Sequence, residues 1–261
     1  MSSVYSRALQ VQARSIWAIA LREVLVKHGR FKLGYAWELI RAVFMVASFW
    51  LIREVAGFKA PNGLPVPVFL LMGFIPWFTF QEIINRSISV VRTNRSMLAY
   101  PQVTELDLYL AASLVAWTTQ MLIMVLFLVV LWLLDYSFPC LNPIAFGLGV
   151  LGVAVFALAL GLVLGSLRMY VPALERIVPM VLRILFFTSG VFFSPERFAK
   201  QIGDIFMWNP LVNFIELLRS TFILTKIPDN IKLDYIVVLT VVLLCLGMLL
   251  ERHVRKMTEQ V

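Results

Sequence analysis

The chain has 261 residues, 61% of them hydrophobic and only 15% charged, with a mean hydropathy of +0.87 and a formal net charge of +8. Soluble domains sit near half apolar and a quarter charged, so this is an integral membrane protein with no room between its apolar segments for a separate soluble domain. In such a chain the positive excess belongs to cytoplasmic loops rather than to nucleic-acid binding, and the two cysteines, Cys140 and Cys245, suggest neither a disulfide framework nor a metal site.

Residues 1–35 carry scattered basic residues and no continuous apolar core, so no cleavable signal peptide is expected there. Ala13, Ile16, Trp17, Ala20, Leu21 and Val24 fall on one helical face, with Arg14, Ser15 and Arg22 opposite. That spacing predicts an amphipathic helix lying at the membrane surface. A domain of six transmembrane helices follows over 36–261, since a span needs about twenty apolar residues. The predicted spans are 36–55, 66–91, 108–134, 143–167, 172–193 and 235–250. Pro76 lies inside the second span, and the fourth is rich in glycine, with a G-x-x-x-G at 161–165 that favours close helix packing.

Between the second and third spans lies NRSMLAYPQVTELDLY, residues 94–109. Pro101 can open a helix because its missing N–H costs nothing there, and Thr104, Glu105 and Asp107 follow in a polar turn. A short helix over about 98–107, parallel to the membrane, is expected. It is either a capped connection or a docking element for a soluble partner. The segment SGVFFSPERFAKQIGDIFMWNPLVNFIELLRSTFI (189–223) is too apolar for a solvated loop and too interrupted to span. Two short re-entrant helices over about 194–225, broken at Asn209-Pro210, are predicted to dip into the outer leaflet, where backbone must be shielded by protein or line a cavity. Arg and Lys concentrate in the N-terminal segment, near Asn94, at Arg168 and Arg176, and in the C-terminal tail. The positive-inside rule therefore places both termini in the cytoplasm.

LREVLVKHGRFKLGYAWELI (21–40), PVFLLMGFIPWFTF (67–80) and MWNPLVNFIELLRS (207–220) carry a resemblance to the ABC-2 type transporter permeases, and within them to the inner-membrane permeases of capsular polysaccharide export in Gram-negative bacteria. Asn213 departs from the family pattern, in which histidine is expected, so a role for that histidine does not carry over. The resemblance implies a homodimer in the bacterial inner membrane with two ATP-binding subunits, which would carry ATP and Mg while this chain binds no cofactor. It implies a periplasmic adaptor or co-polymerase, an outer-membrane polysaccharide export channel, and a lipid-linked, acidic polysaccharide as cargo. It also implies that the 98–107 helix couples the ATPase to the spans, through Leu98, Tyr100, Pro101, Gln102, Val103, Thr104, Glu105 and Asp107. The chain contains no G-x-x-x-x-G-K-[ST] phosphate loop, which agrees with an external ATPase.

Charged groups within spans suggest function, and Arg41, Arg86 and Arg183 are candidates for a basic lining. Glu82 and Arg86, four apart, can instead pair with each other, and Arg41 can snorkel to the interface. By resemblance, Arg30 and Lys32 with Arg41 would receive phosphate or acidic sugars at the cytoplasmic entrance. Aromatic faces stack on sugar rings, which adds Tyr35, Trp37, Trp50, Trp77 and Phe187 as pathway candidates; packing or an interfacial belt is the competing role. His28 and His253 stand alone, and no nucleophile motif or carboxylate pair supports catalysis. The expected function is the permease of a capsule exporter. The alternatives are a permease for another glycopolymer (O-antigen or teichoic acid) or a small molecule, and a membrane-embedded glycosyl- or acyltransferase.

Overall fold

The structure is a computed structural model that describes residues 2–30, 34–55, 57, 63–100, 102–136, 138–195 and 200–258. In chain order the described helices are α1 Ser2–Arg30, α2 Gly34–Val55, α3 Val66–Thr93, a 3-10 helix Arg95–Ala99, α4 Glu105–Leu133, α5 Pro143–Arg168, α6 Leu174–Thr188, α7 Lys200–Phe206, α8 Pro210–Ser220 and α9 Leu233–Thr258. No strand occurs among the described residues.

Local chemistry sets the helix ends. Asn142 caps α5 by accepting from the Ala145 N–H at 3.0 Å, with Pro143 in the first helical position. Asn209 does the same for α8, accepting from the Leu211 N–H at 3.0 Å ahead of Pro210. A capping box starts α4: Thr104 Oγ1 accepts from the Asp107 N–H, and Asp107 accepts from the Thr104 N–H at 2.9 Å. Thr104→Ala is expected to cost about 1 kcal/mol, read as a lower melting temperature of the purified protein. α6 stops at Thr188, five residues short of the predicted 193, because Gly190 turns the chain at φ 77°.

The chain is apolar all round over most of α3, and a helix of that pattern belongs inside a core. Accordingly α3 is buried along most of its length and touches α2, α4, α5, α6 and α8. α5 lies between α3 and α9, and Gly149, Gly152, Gly161 and Gly165 allow α8, α3 and α4 to approach it closely. Among the described residues four helices are long and apolar enough to cross a membrane: Val66–Thr93, Glu105–Leu133, Pro143–Arg168 and Leu233–Met257. They correspond to the second, third, fourth and sixth predicted spans. α2 fills the region of the first. α6, with 15 residues, rises only about 23 Å, less than a hydrocarbon core of about 30 Å. Both α2 and α6 bury few side chains, and most of α6 faces outward.

α1 packs against α4 and touches the start of the α3–α4 connection. Its contact face is Ile16, Ile19, Ala20 and Val24, one step round from the predicted face. Trp17 and Leu21, assigned to that face from sequence, are exposed with Leu25 on a second apolar stripe. The helix thus has one apolar side for protein and another left open.

Candidate functional site

Two groups of residues merit functional attention, at opposite ends of the bundle. The near end holds the 94–104 connection, α1, and the C-terminal ends of α3, α5 and α9. The far end holds the α4–α5 connection and residues 189–232.

At the near end Asn94 closes α3, and both its N–H and its side-chain amide donate to Val90 O at 3.1 Å. The 3-10 helix follows. Met97 and Leu98 turn inward, half-buried with Val103 and Leu106 against α1 and α4. Arg22 of α1 donates to Met97 Sδ at 2.9 Å. Arg95, Ser96, Ala99, Tyr100 and Gln102 point outward, and Tyr100 is 65% exposed.

The expected short helix over 98–107 is therefore not what forms. A 3-10 helix ends at Ala99, Tyr100 is extended, and Glu105 already belongs to the first turn of α4. Glu105 and Asp107 are also not docking groups on an open surface. Asp107, 1% exposed, is consumed by the capping box and by Gln12 of α1, whose Nε2 donates to it at 3.1 Å. Glu105 is buried within electrostatic reach of Glu251 and Arg255 on α9. Thr104 is half-buried in its cap. Pro101 and Lys32 lie outside the described residues, as do the side chains of Arg30, Tyr35 and Trp37.

The pathway candidates separate in the same way. Trp77 is 2% exposed and packs on Phe80 and Phe186, with centroids at 5.9 and 5.3 Å, so it is core rather than lining. Arg86 is paired with Glu82 at 2.8 Å and with Glu23 of α1, which neutralises it inside the fold. Trp50 is half-buried, edge-on to Tyr136 at 5.9 Å. Arg41 is exposed on α2 with its guanidinium 5.1 Å from the Phe78 ring. Arg183 and Phe187 are both exposed on the outward face of α6. Arg41, Arg183 and Phe187 thus stay available to a ligand. Behind them Phe49, Phe74, Phe186 and Phe192 form an aromatic seam joining α2, α3 and the end of α6, with Phe49 and Phe192 4.6 Å apart.

Sequence reasoning missed the far-end centre, Arg219. It is 2% exposed and donates to Phe69 O, Gly190 O, Val191 O, Phe193 O and Glu216 Oε1, at 3.3, 2.8, 2.7, 3.0 and 2.9 Å. Its guanidinium lies 3.6 Å from the Phe69 ring centroid, and Arg53 of α2 stands 5.2 Å from that ring. Glu216 also accepts from Ser194 Oγ at 3.1 Å. A non-helical turn in apolar surroundings leaves carbonyls that no water can satisfy, and the five N–H donors of one guanidinium satisfy them together. The only sequence signal is an acid and a base three apart in an apolar stretch, which fits a surface pair equally well.

This is a helical membrane protein with an outward polar turn at one end and a buried arginine organising the other. Residues 14–223 match the profile of the ABC-2 type transporter family, and the chain belongs to that family. It is 28% identical over 246 residues to the polysialic acid transport protein KpsM of Escherichia coli, covering 93% of this chain and 94% of that one. It is 23% identical over 260 residues to the capsule polysaccharide export inner-membrane protein BexB of Haemophilus influenzae, covering 98% and 97%. The O-antigen export system permease protein RfbA of Klebsiella pneumoniae is 22% identical over 212 residues, 78% of each chain.

Proposed function

We propose that this chain is the transmembrane subunit of an ATP-driven exporter that carries capsular polysaccharide across the bacterial inner membrane. The observation that carries this reading is the end-to-end match to capsule export proteins, over nine-tenths or more of both partners. The match to the O-antigen permease is shorter and supports a second reading, the same machine with another glycopolymer as cargo. Both termini and the 94–104 turn lie in the cytoplasm, as the distribution of Arg and Lys indicates. The chain spans the membrane six times, with α2 and α6 as the first and fifth passes, and α7 and α8 enter the outer leaflet without crossing it. It works as a homodimer with two ATP-binding subunits, which hold ATP and Mg. A periplasmic adaptor and an outer-membrane export channel continue the route.

In this mechanism the ATP-binding subunit grips the outward turn, Arg95 to Gln102, with Tyr100 as the central contact. A stiff aromatic on a rigid turn is the kind of group that dominates such an interface. The inward residues Leu98 and Val103 tie the turn to α1 and α4, so its displacement moves the bundle. The polymer then runs along the outward faces of α2 and α6. Arg41 and Arg183 attract its acidic groups, and Phe187 offers a ring face to its sugars.

Deleting the chain and locating the polymer by staining and cell fractionation tests the reading. Polymer trapped inside the cell supports capsule export. A normal capsule overturns it in favour of another cargo, and an absence of polymer points to synthesis. Tyr100→Ala is expected to weaken binding of the ATP-binding subunit by about tenfold with the chain still inserted, measured by co-purification.

A further inference from the structure

α6 is thinly packed. Val178 and Leu182 are its fully buried residues, and the rest of its length leans on the bundle or faces outward. Yet ionic groups anchor it at both ends. At the far end the turn after α6 is held by Arg219 through the carbonyls of Gly190, Val191 and Phe193. At the near end Glu175, in its first turn, forks between two arginines. Arg92 Nη2 of α3 reaches Glu175 Oε1 at 2.5 Å, and Arg168 Nη2 of α5 reaches Oε2 at 3.2 Å.

Pro179 lies between the anchors. A proline inside a helix removes the hydrogen bond to the carbonyl four residues earlier and kinks the helix there. That carbonyl belongs to Glu175. The backbone is thus weakened immediately beside the near anchor, while the far anchor stays fixed. Arg92 in turn sits three residues before the 3-10 helix Arg95–Ala99, and its own side chain is 59% exposed. The pair ties the last turn of α3, which leads into the outward turn, to the first turn of α6, whereas Arg168 fixes Glu175 to the adjacent α5.

We infer that Glu175 is the positioning residue that carries displacement of the 95–102 turn, through Arg92, into a bend of α6 about Pro179. This rests on the reading that an ATP-binding subunit docks on that turn and that α6 lines the route. When the turn moves, α3 carries Arg92 with it and the ion pair pulls the first turn of α6. The Arg219 clasp holds the other end, so the helix bends instead of sliding, and the face carrying Arg183 and Phe187 changes its angle to the route. The pair transmits the pull as long as separating it costs more than bending α6 at Pro179, where one backbone hydrogen bond is already missing.

The test uses the full complex of this chain with its ATP-binding subunit, expressed in cells whose surface polysaccharide is stained. Glu175→Gln is expected to leave co-purification and ATP hydrolysis in place while surface polymer is lost, so that polymer delivered per ATP falls. A second variant combines Arg92→Cys with Glu175→Cys, in a chain where the exposed Cys140 and Cys245 are replaced by serine. With its thiols free it exports poorly. Joined by a reducible thiol-to-thiol reagent it recovers export, and reduction removes the gain. Normal export by Glu175→Gln overturns the inference, as does a cross-linked pair no better than the reduced one. A fall in export that only follows the amount of folded protein also overturns it. The unsubstituted complex separates the two levels. If it fails to assemble, the docking reading falls and takes the inference with it. If it assembles and exports while the Glu175 variants match it, the inference falls alone.

Discussion

Arg219→Ala is expected to unfold the far end of the molecule. The substitution strips donors from the carbonyls of Phe69, Gly190, Val191 and Phe193 and takes the Arg219 guanidinium from the buried Glu216 carboxylate. Breaking a buried pair by removing one partner costs about 3–5 kcal/mol. Folded domains are stable by only about 5–15 kcal/mol, so this loss takes roughly a fifth or more of the margin. The surrounding structure offers no relief. The Gly73 backbone lies against the guanidinium so closely that an added Cβ would stand 2.8 Å from both Arg219 Nη2 and Val191 O. Lysine is not a substitute, since an ammonium cannot present a planar fork to carbonyls in several directions. Arg219→Lys keeps a cation beside Glu216 but loses the fork, so it should fall between the unsubstituted chain and the alanine variant, whereas Arg219→Met combined with Glu216→Gln should recover part of the alanine loss by neutralising the carboxylate. Thermal unfolding in detergent and the rate of proteolysis between residues 189 and 232 give the order of the variants. Equal melting of the lysine variant and the unsubstituted chain would contradict the clasp.

The parts of this fold that were legible in sequence are those governed by one-dimensional physics. The apolar runs of α3, α4, α5 and α9 are long enough to be seen as spans wherever they sit. Asn142-Pro143 and Asn209-Pro210 announce helix starts through local hydrogen bonds. The capping box at Thr104 is local too, yet from sequence alone it falls within a separate short helix over 98–107. Composition cannot say that Asp107 faces α1 and Glu105 faces α9, because those helices begin roughly a hundred residues before the box and run to the chain's C-terminal end. The same limit hid Arg219, whose partner Phe69 is separated from it by 150 residues. Trp77 looked like a pathway aromatic because stacking on sugar and stacking on Phe186 need the same ring. Only burial distinguishes the two uses.

Gly165→Val is expected to be the most damaging single substitution in α5, with Gly147→Ala its neutral counterpart. Both positions belong to one glycine-rich helix, and only Gly165 lies in its G-x-x-x-G. At Gly165 an added Cβ would stand 2.5 Å from Tyr109 Oη, 2.6 Å from Tyr109 Cε1 and 2.8 Å from Ser87 O. Tyr109 is fully buried and Ser87 O is backbone, so neither can swing aside. Gly161 is one turn earlier, and its Cβ would meet Ser87 Oγ at 2.5 Å, so the G-x-x-x-G forms the flat surface on which α3 and α4 lie. Overpacking a tight core costs about 1–3 kcal/mol, and the branched valine, which adds two methyls to the clash, should reach the upper end. At Gly147 no atom lies within 4 Å of an added Cβ. There alanine should be tolerated, with a gain of up to about 1 kcal/mol from helix propensity. Melting temperatures of the two purified variants decide the matter. If Gly165→Val melts with Gly147→Ala, then α5 does not approach α3 and α4 as closely as its glycines allow. If it melts far below, these small residues set the packing of a single subunit and leave the outward faces of α2 and α6 for contacts beyond it.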